Sequence, residues 1–139
     1  MSEAKKNSYL LLSSSDTWYN QLSPGELQKV MAANRAWVGR LLAEGKARPG
    51  VALARNGATI SGNNKRVVTD GPFAESKEAI GGTLILEVAT LEEAISIAKE
   101  CPSLRYNTTM EVRPIMADCP LEARASELAE EGRLASAHT

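Results

Sequence analysis

The side chains best placed to do chemistry gather around one acidic turn. Asp70 precedes Gly71-Pro72-Phe73, and Glu75, Lys77 and Glu78 follow before Gly81-Gly82. A carboxylate ahead of a glycine–proline turn has two uses. It accepts backbone amides and so fixes the turn, or, where burial lifts its pKa toward neutrality, it binds a ligand or takes a proton as a general base. Asp70 is therefore the candidate catalytic residue, with turn formation as its plainer use. Glu75, Lys77 and Glu78 could ring the mouth of a cleft, but charges at these spacings also form ordinary solvated pairs worth under about 1 kcal/mol.

Asn34, Trp37 and Arg113 join Asp70 as the candidate ligand-binding residues. Asn34 falls on the stripe that Leu27, Val30, Met31, Val38, Leu41 and Leu42 draw at spacings of three and four. An amide on a buried face finds partners or incurs about 1–3 kcal/mol of desolvation, so the stripe points to a cleft beneath the helix. Trp37 would wall that cleft, unless its ring serves the core or a subunit contact. Arg113 can hold an anion or pair with Glu111 on the same strand face. Phe73 reads as a core plug, and Gly81-Gly82 as strand geometry or a point of close ligand approach.

Other chemistries find no residues. Cys101, Cys119 and the single His138 form no C-x-x-C pair and no tetrahedral ligand set, so neither metal nor cofactor is expected. Cys101 lacks a neighbouring histidine to activate it, and Ser13, Ser14 and Ser15 show neither a nucleophile elbow nor a phosphate-cradling glycine loop. Sixteen basic and seventeen acidic side chains leave a net charge of −1, which argues against nucleic acid and membrane surfaces as partners. The apolar run Tyr9-Leu10-Leu11-Leu12 is too short for a signal or spanning segment, so a cytoplasmic protein is expected.

A short alternation of elements must position these residues. Residues 8–13 read as a strand, and Ser23-Pro24-Gly25-Glu26 opens a helix with a capping hydroxyl, a proline at the first position and a carboxylate three residues after the cap. Gly45 supplies that helix's left-handed exit. Pro49 to Ala54 reads as irregular and extended, and Ala58-Thr59-Ile60 pairs with Lys65 to Thr69 across Ser61-Gly62-Asn63-Asn64. Thr83 to Ala89 alternates as a central strand. Thr90-Leu91-Glu92-Glu93 caps a second helix that stops at Pro102, and Met110 to Ile115 is the last strand. The fold class is α+β, a ferredoxin-like βαββαβ antiparallel sheet with its helices on one face. At 139 residues it buries about 68–70% of the unfolded chain's surface.

The bare face of such a sheet predicts a homodimer. The expected organisation is a flexible N-terminus over 1–7, one domain over 8–116, a helical extension over 117–132 carrying Leu121, Ala125 and Leu128, and a disordered tail over 133–139.

The run Val67-Val68-Thr69-Asp70-Gly71-Pro72-Phe73-Ala74-Glu75-Ser76-Lys77-Glu78 resembles the DGPF-type members of the YCII-related family. Glu111-Val112-Arg113-Pro114-Ile115 resembles their closing strand, and Ser23-Pro24-Gly25-Glu26 the start of their first helix. The likeness covers about residues 8–116 and implies a dimeric α+β barrel, two ferredoxin-like units joined sheet to sheet with a cleft in each subunit. Some relatives carry a first-helix histidine and an aspartate before the proline that ends the second helix, proposed as a catalytic dyad. Asn34 and Cys101 stand at those positions here, and an amide that does not titrate cannot be a general base. Gene neighbourhood in the family implies a link to sigma-factor signalling. A fold that hosts many chemistries selects none. Three functions follow as expectations: a dimeric small-molecule-binding protein, a small cofactor-independent lyase, isomerase or oxygenase with Asp70 as base and Arg113 as clamp, and a regulatory partner in the sigma-factor pathway.

Overall fold

The computed structural model describes residues 5–15, 18–54, 56–62, 67–70 and 79–137. Strand β1 (Asn7–Ser15) is followed by a 3₁₀ turn (Trp18–Gln21), helix α1 (Pro24–Ala43) and strand β2 (Ala47–Arg48). Strands β3 (Ala58–Ser61), β4 (Val67–Asp70) and β5 (Ala79–Val88) lead into helix α2 (Leu91–Ala98). A second 3₁₀ turn (Pro102–Arg105), strand β6 (Thr109–Pro114) and helix α3 (Pro120–Ala137) complete the order.

The helix ends are built as their residues dictate. Ser23 Oγ accepts the Glu26 backbone N–H at 3.2 Å and donates to the Glu26 carboxylate at 3.0 Å, with Pro24 following the cap. At the other end Gly45 takes φ +70°, and the N–H groups of Gly45 and Lys46 reach back to the Leu42 and Leu41 carbonyls. Thr90 caps α2 by accepting the Glu93 N–H at 3.1 Å. That helix ends at Ala98, before Pro102, because a separate 3₁₀ turn carries the chain through the proline.

The main sheet is antiparallel with the order β2-β5-β1-β6, the ferredoxin-like arrangement. Its make-up differs from the sequence expectation in one strand. The hairpin β3–β4 forms, with Ala58 opposite Asp70, but it stands as its own two-stranded sheet. The place beside β5 belongs instead to the two residues of β2, extended by an Ala52–Gly82 bridge. A two-residue strand shows no alternation in sequence, so periodicity could not distinguish it from the helix exit.

Register assigns the faces. Leu11 lies opposite Leu84 and Val112, and Tyr9 opposite Leu86. These side chains meet Trp37 and Leu41 of α1 and Ala94, Ile97 and Ala98 of α2 in a single core, in which Leu86 is fully buried. The alternate residues Leu10, Leu12, Ile85, Glu87, Glu111 and Arg113 therefore face the underside, where Leu10, Leu12 and Ile85 are half-buried. Helix α3 leaves Leu121, Leu128 and Leu134 exposed.

Candidate functional site

Between α1 and the sheet lies a cavity of about 640 Å³. Its floor is Leu11, Ser13, Leu84 and Met110, and its roof is the α1 face from Leu27 to Leu42. The chain from Pro49 to Ala52 closes one edge, and Trp18 and Tyr19 line it after β1. The reason for the space is local. In the register of the sheet, Ser13 sits between Gly82 and Met110, so two of the three residues in this row are too small to fill the space beneath the helix. A register shift at Ser13/Ser14 falls at the same place. Farther along the same strands Leu84 and Leu86 meet Trp37 and Leu41, and the two layers pack closed.

Asn34 and Trp37 both line this cavity. Asn34 is exposed rather than buried, although Val30 and Trp37 one turn to either side are buried, and its amide makes no hydrogen bond among the described residues. Trp37 is 5% exposed, and its Nε1–H has no hydrogen-bond partner among the described residues. The α1 face that reaches the core is thus Val30, Trp37 and Leu41, while Met31 and Leu42, on the expected stripe, stay exposed along the cavity.

The edge of the cavity depends on Gly50. A Cβ at that position would overlap the Thr83 backbone carbonyl and its hydroxyl. Glycine lets the chain lie against β5, where Val51 N–H donates to Thr83 Oγ1 at 2.9 Å and Thr83 N–H to the Val51 carbonyl at 2.9 Å. Leu53 N–H to the Gly81 carbonyl at 2.9 Å continues the pairing. Sequence reasoning did not single out Gly50 or Thr83. The signal available was a glycine after a proline at the head of an extended run, which fixes no partner.

Neither Asp70 nor Arg113 is among the described residues of the cavity wall. Asp70 ends β4, where the backbone is described and the side chain is not, and residues 71–78, with Phe73, Glu75, Lys77 and Glu78, lie outside the described residues. Arg113 faces the underside, opposite Leu10, with its Nε 3.9 Å from the Glu111 carboxylate and both side chains more than half exposed. It does not line the cavity. None of the described residues in the cavity wall is Asp, Glu, Lys, Arg or His. Cys101 lines it as a buried free thiol 3.2 Å from Ser103 Oγ.

Among the described residues no group of three His, Cys, Asp or Glu side chains could hold a metal ion, and no helix is long and apolar enough to cross a membrane. The model of the YCII-related domain matches residues 9–118. One relative is an uncharacterized protein of Rhizobium meliloti (strain 1021), 40% identical over 50 residues. That match covers 35% of this chain and 40% of the relative, so the chain spans less than half the length of the curated relative it matches.

Proposed function

The chain belongs to the YCII-related family, and from that premise we propose that it is a small-molecule-binding protein acting as a homodimer, with its ligand in the cavity under α1. Neither the family's description nor the relative's carries an activity, so the reading rests on the site. The observation that carries it is the cavity itself. Its volume of about 640 Å³ lies within the roughly 300–1,000 Å³ of ordinary ligand sites, and its walls combine apolar side chains with a few polar groups. Asn34 and Trp37 are the ligand contacts in this reading. Asp70 is kept for the ligand's polar group, or for its proton if the ligand is turned over. Arg113 goes to the subunit interface.

A thermal-shift screen of metabolites tests the proposal. A compound that binds only the folded state at 100 times its Kd adds about 2.7 kcal/mol of stability, several degrees in Tm for a domain this size. The same screen on Asp70→Asn reads the part of that carboxylate, whose loss should lower the response to the best compound. A screen in which no compound raises Tm would sink the reading.

A further inference from the structure

We propose that the cavity takes an uncharged, largely apolar molecule whose carbonyl group meets the Asn34 amide, a class assignment that rests on the cavity being a ligand site. The described wall holds no ionic side chain. A carboxylate or phosphate entering it would leave water with no cation among the described residues to receive it, which is unfavourable. Arg113, the guanidinium that the sequence offers to an anion, is paired with Glu111 on the opposite face of the sheet.

What the described wall offers is largely apolar surface with a few neutral polar side chains, the exposed Asn34 amide among them. Leu11, Leu84 and Met110 from the sheet and Val30 from α1 supply the surface. Asn34 supplies two N–H donors and one acceptor, none of them used by a described residue. Trp37, three residues along the same helix, adds a flat ring, while its indole N–H is buried away from the cavity surface. An Asn34 amide whose N–H groups meet no described acceptor favours a ligand that brings one. A neutral carbonyl compound on an apolar ring or chain fits this set, and a carboxamide fits it best because it answers both the donor and the acceptor of Asn34.

Three probes of nearly equal shape separate the alternatives: naphthalene-2-carboxamide, naphthalene-2-carboxylate and 2-isopropenylnaphthalene. Binding to the full chain is read by Tm shift and by tryptophan fluorescence. The carboxamide should bind about tenfold tighter than either of the others, the ratio that one or two net hydrogen bonds provide. Asn34→Leu should abolish the carboxamide's advantage and leave the hydrocarbon bound at least as tightly as before. Asn34 is exposed, so this variant should fold, and the comparison of the three probes on the unaltered chain stands without it.

Tightest binding by the carboxylate would overturn the uncharged class while leaving a ligand site in place. Equal binding of carboxamide and hydrocarbon, unmoved by Asn34→Leu, would overturn the role of Asn34 on the same terms. Failure of all three probes up to their solubility, in a chain that does respond to some metabolite in the screen, would overturn the class alone. Failure of probes and screen together would remove the site and the class with it.

Discussion

Glu87 accepts a hydrogen bond from Ser8 Oγ at 2.7 Å and pairs with Arg48 on the underside of the sheet. The Ser8 bond first, and then Arg48 and Lys6, hold its carboxyl below the usual carboxylate range, against the opposing effect of burial. A carboxylate whose pKa is depressed on folding stabilises the protein above its unfolded pKa of about 4.3, and that contribution is lost as the pH falls through the folded value. Glu87→Gln should therefore be less stable than the parent at pH 7, by no more than about 1.5 kcal/mol because Arg48 is largely solvated. Urea titrations at fixed protein concentration should show the gap closing as the pH drops below the ordinary carboxylate range. A gap that stays constant from pH 7 to pH 3 would contradict the assignment. Glu87 and Ser8 meet across 79 residues of chain, and only the β1–β5 register brings them together.

The edge segment from Gly50 to Leu53 shows how an element too irregular for a sequence pattern still shapes the site. It is held to β5 by backbone bonds to Thr83 and Gly81 and by the Thr83 hydroxyl, and it forms one wall of the cavity. Gly50→Ala forces a methyl group against the Thr83 backbone, which cannot swing aside as a side-chain tip would. The expected result is a loss of about 1–3 kcal/mol in the urea transition, the range for overpacking a filled position. Faster amide exchange at Val51, Thr83 and Leu53 should accompany it, while the helix and its Gly45 exit keep their protection. Unchanged stability and exchange would mean that the segment is not pinned where the hydrogen bonds place it. The helix starts are a contrast, because a cap is a local arrangement of four residues and Ser23 and Thr90 each needed no distant partner to be read.

At the scale of the molecule, the sheet has one face under α1 and α2 and another carrying Leu10, Leu12 and Ile85 between the Arg48–Glu87 and Glu111–Arg113 pairs. An apolar centre with a charged rim is the composition of an interface. If two copies meet there, light scattering at micromolar concentration should give twice the chain mass. Leu10→Arg should convert the dimer to a monomer without loss of helical content, since Leu10 lies opposite Ile85 and Arg113, and a guanidinium buried there without a facing carboxylate opposes association far more than it opposes folding of a half-exposed strand. A parent chain of single mass at that concentration would remove the dimer from the proposed function.

The features readable from the chain alone were local and periodic: both helix starts, the glycine exit of α1, the strands β1, β5 and β6, of which β5 was marked by its alternation, and from the order of elements the ferredoxin-like plan. The sequence also marked Asn34 as a polar residue out of place on an apolar stripe, and that residue lies in the cavity wall. These were legible because capping and periodicity are written within a few neighbouring positions. Tertiary structure alone decided that Ala47-Arg48 rather than the hairpin joins the sheet, that Ser13 and Gly82 lie side by side and leave the cavity unfilled, and that Arg113 faces away from it. Each depends on strand register, where a slip of one residue reverses every side chain, and register is set by contacts between segments far apart in the chain.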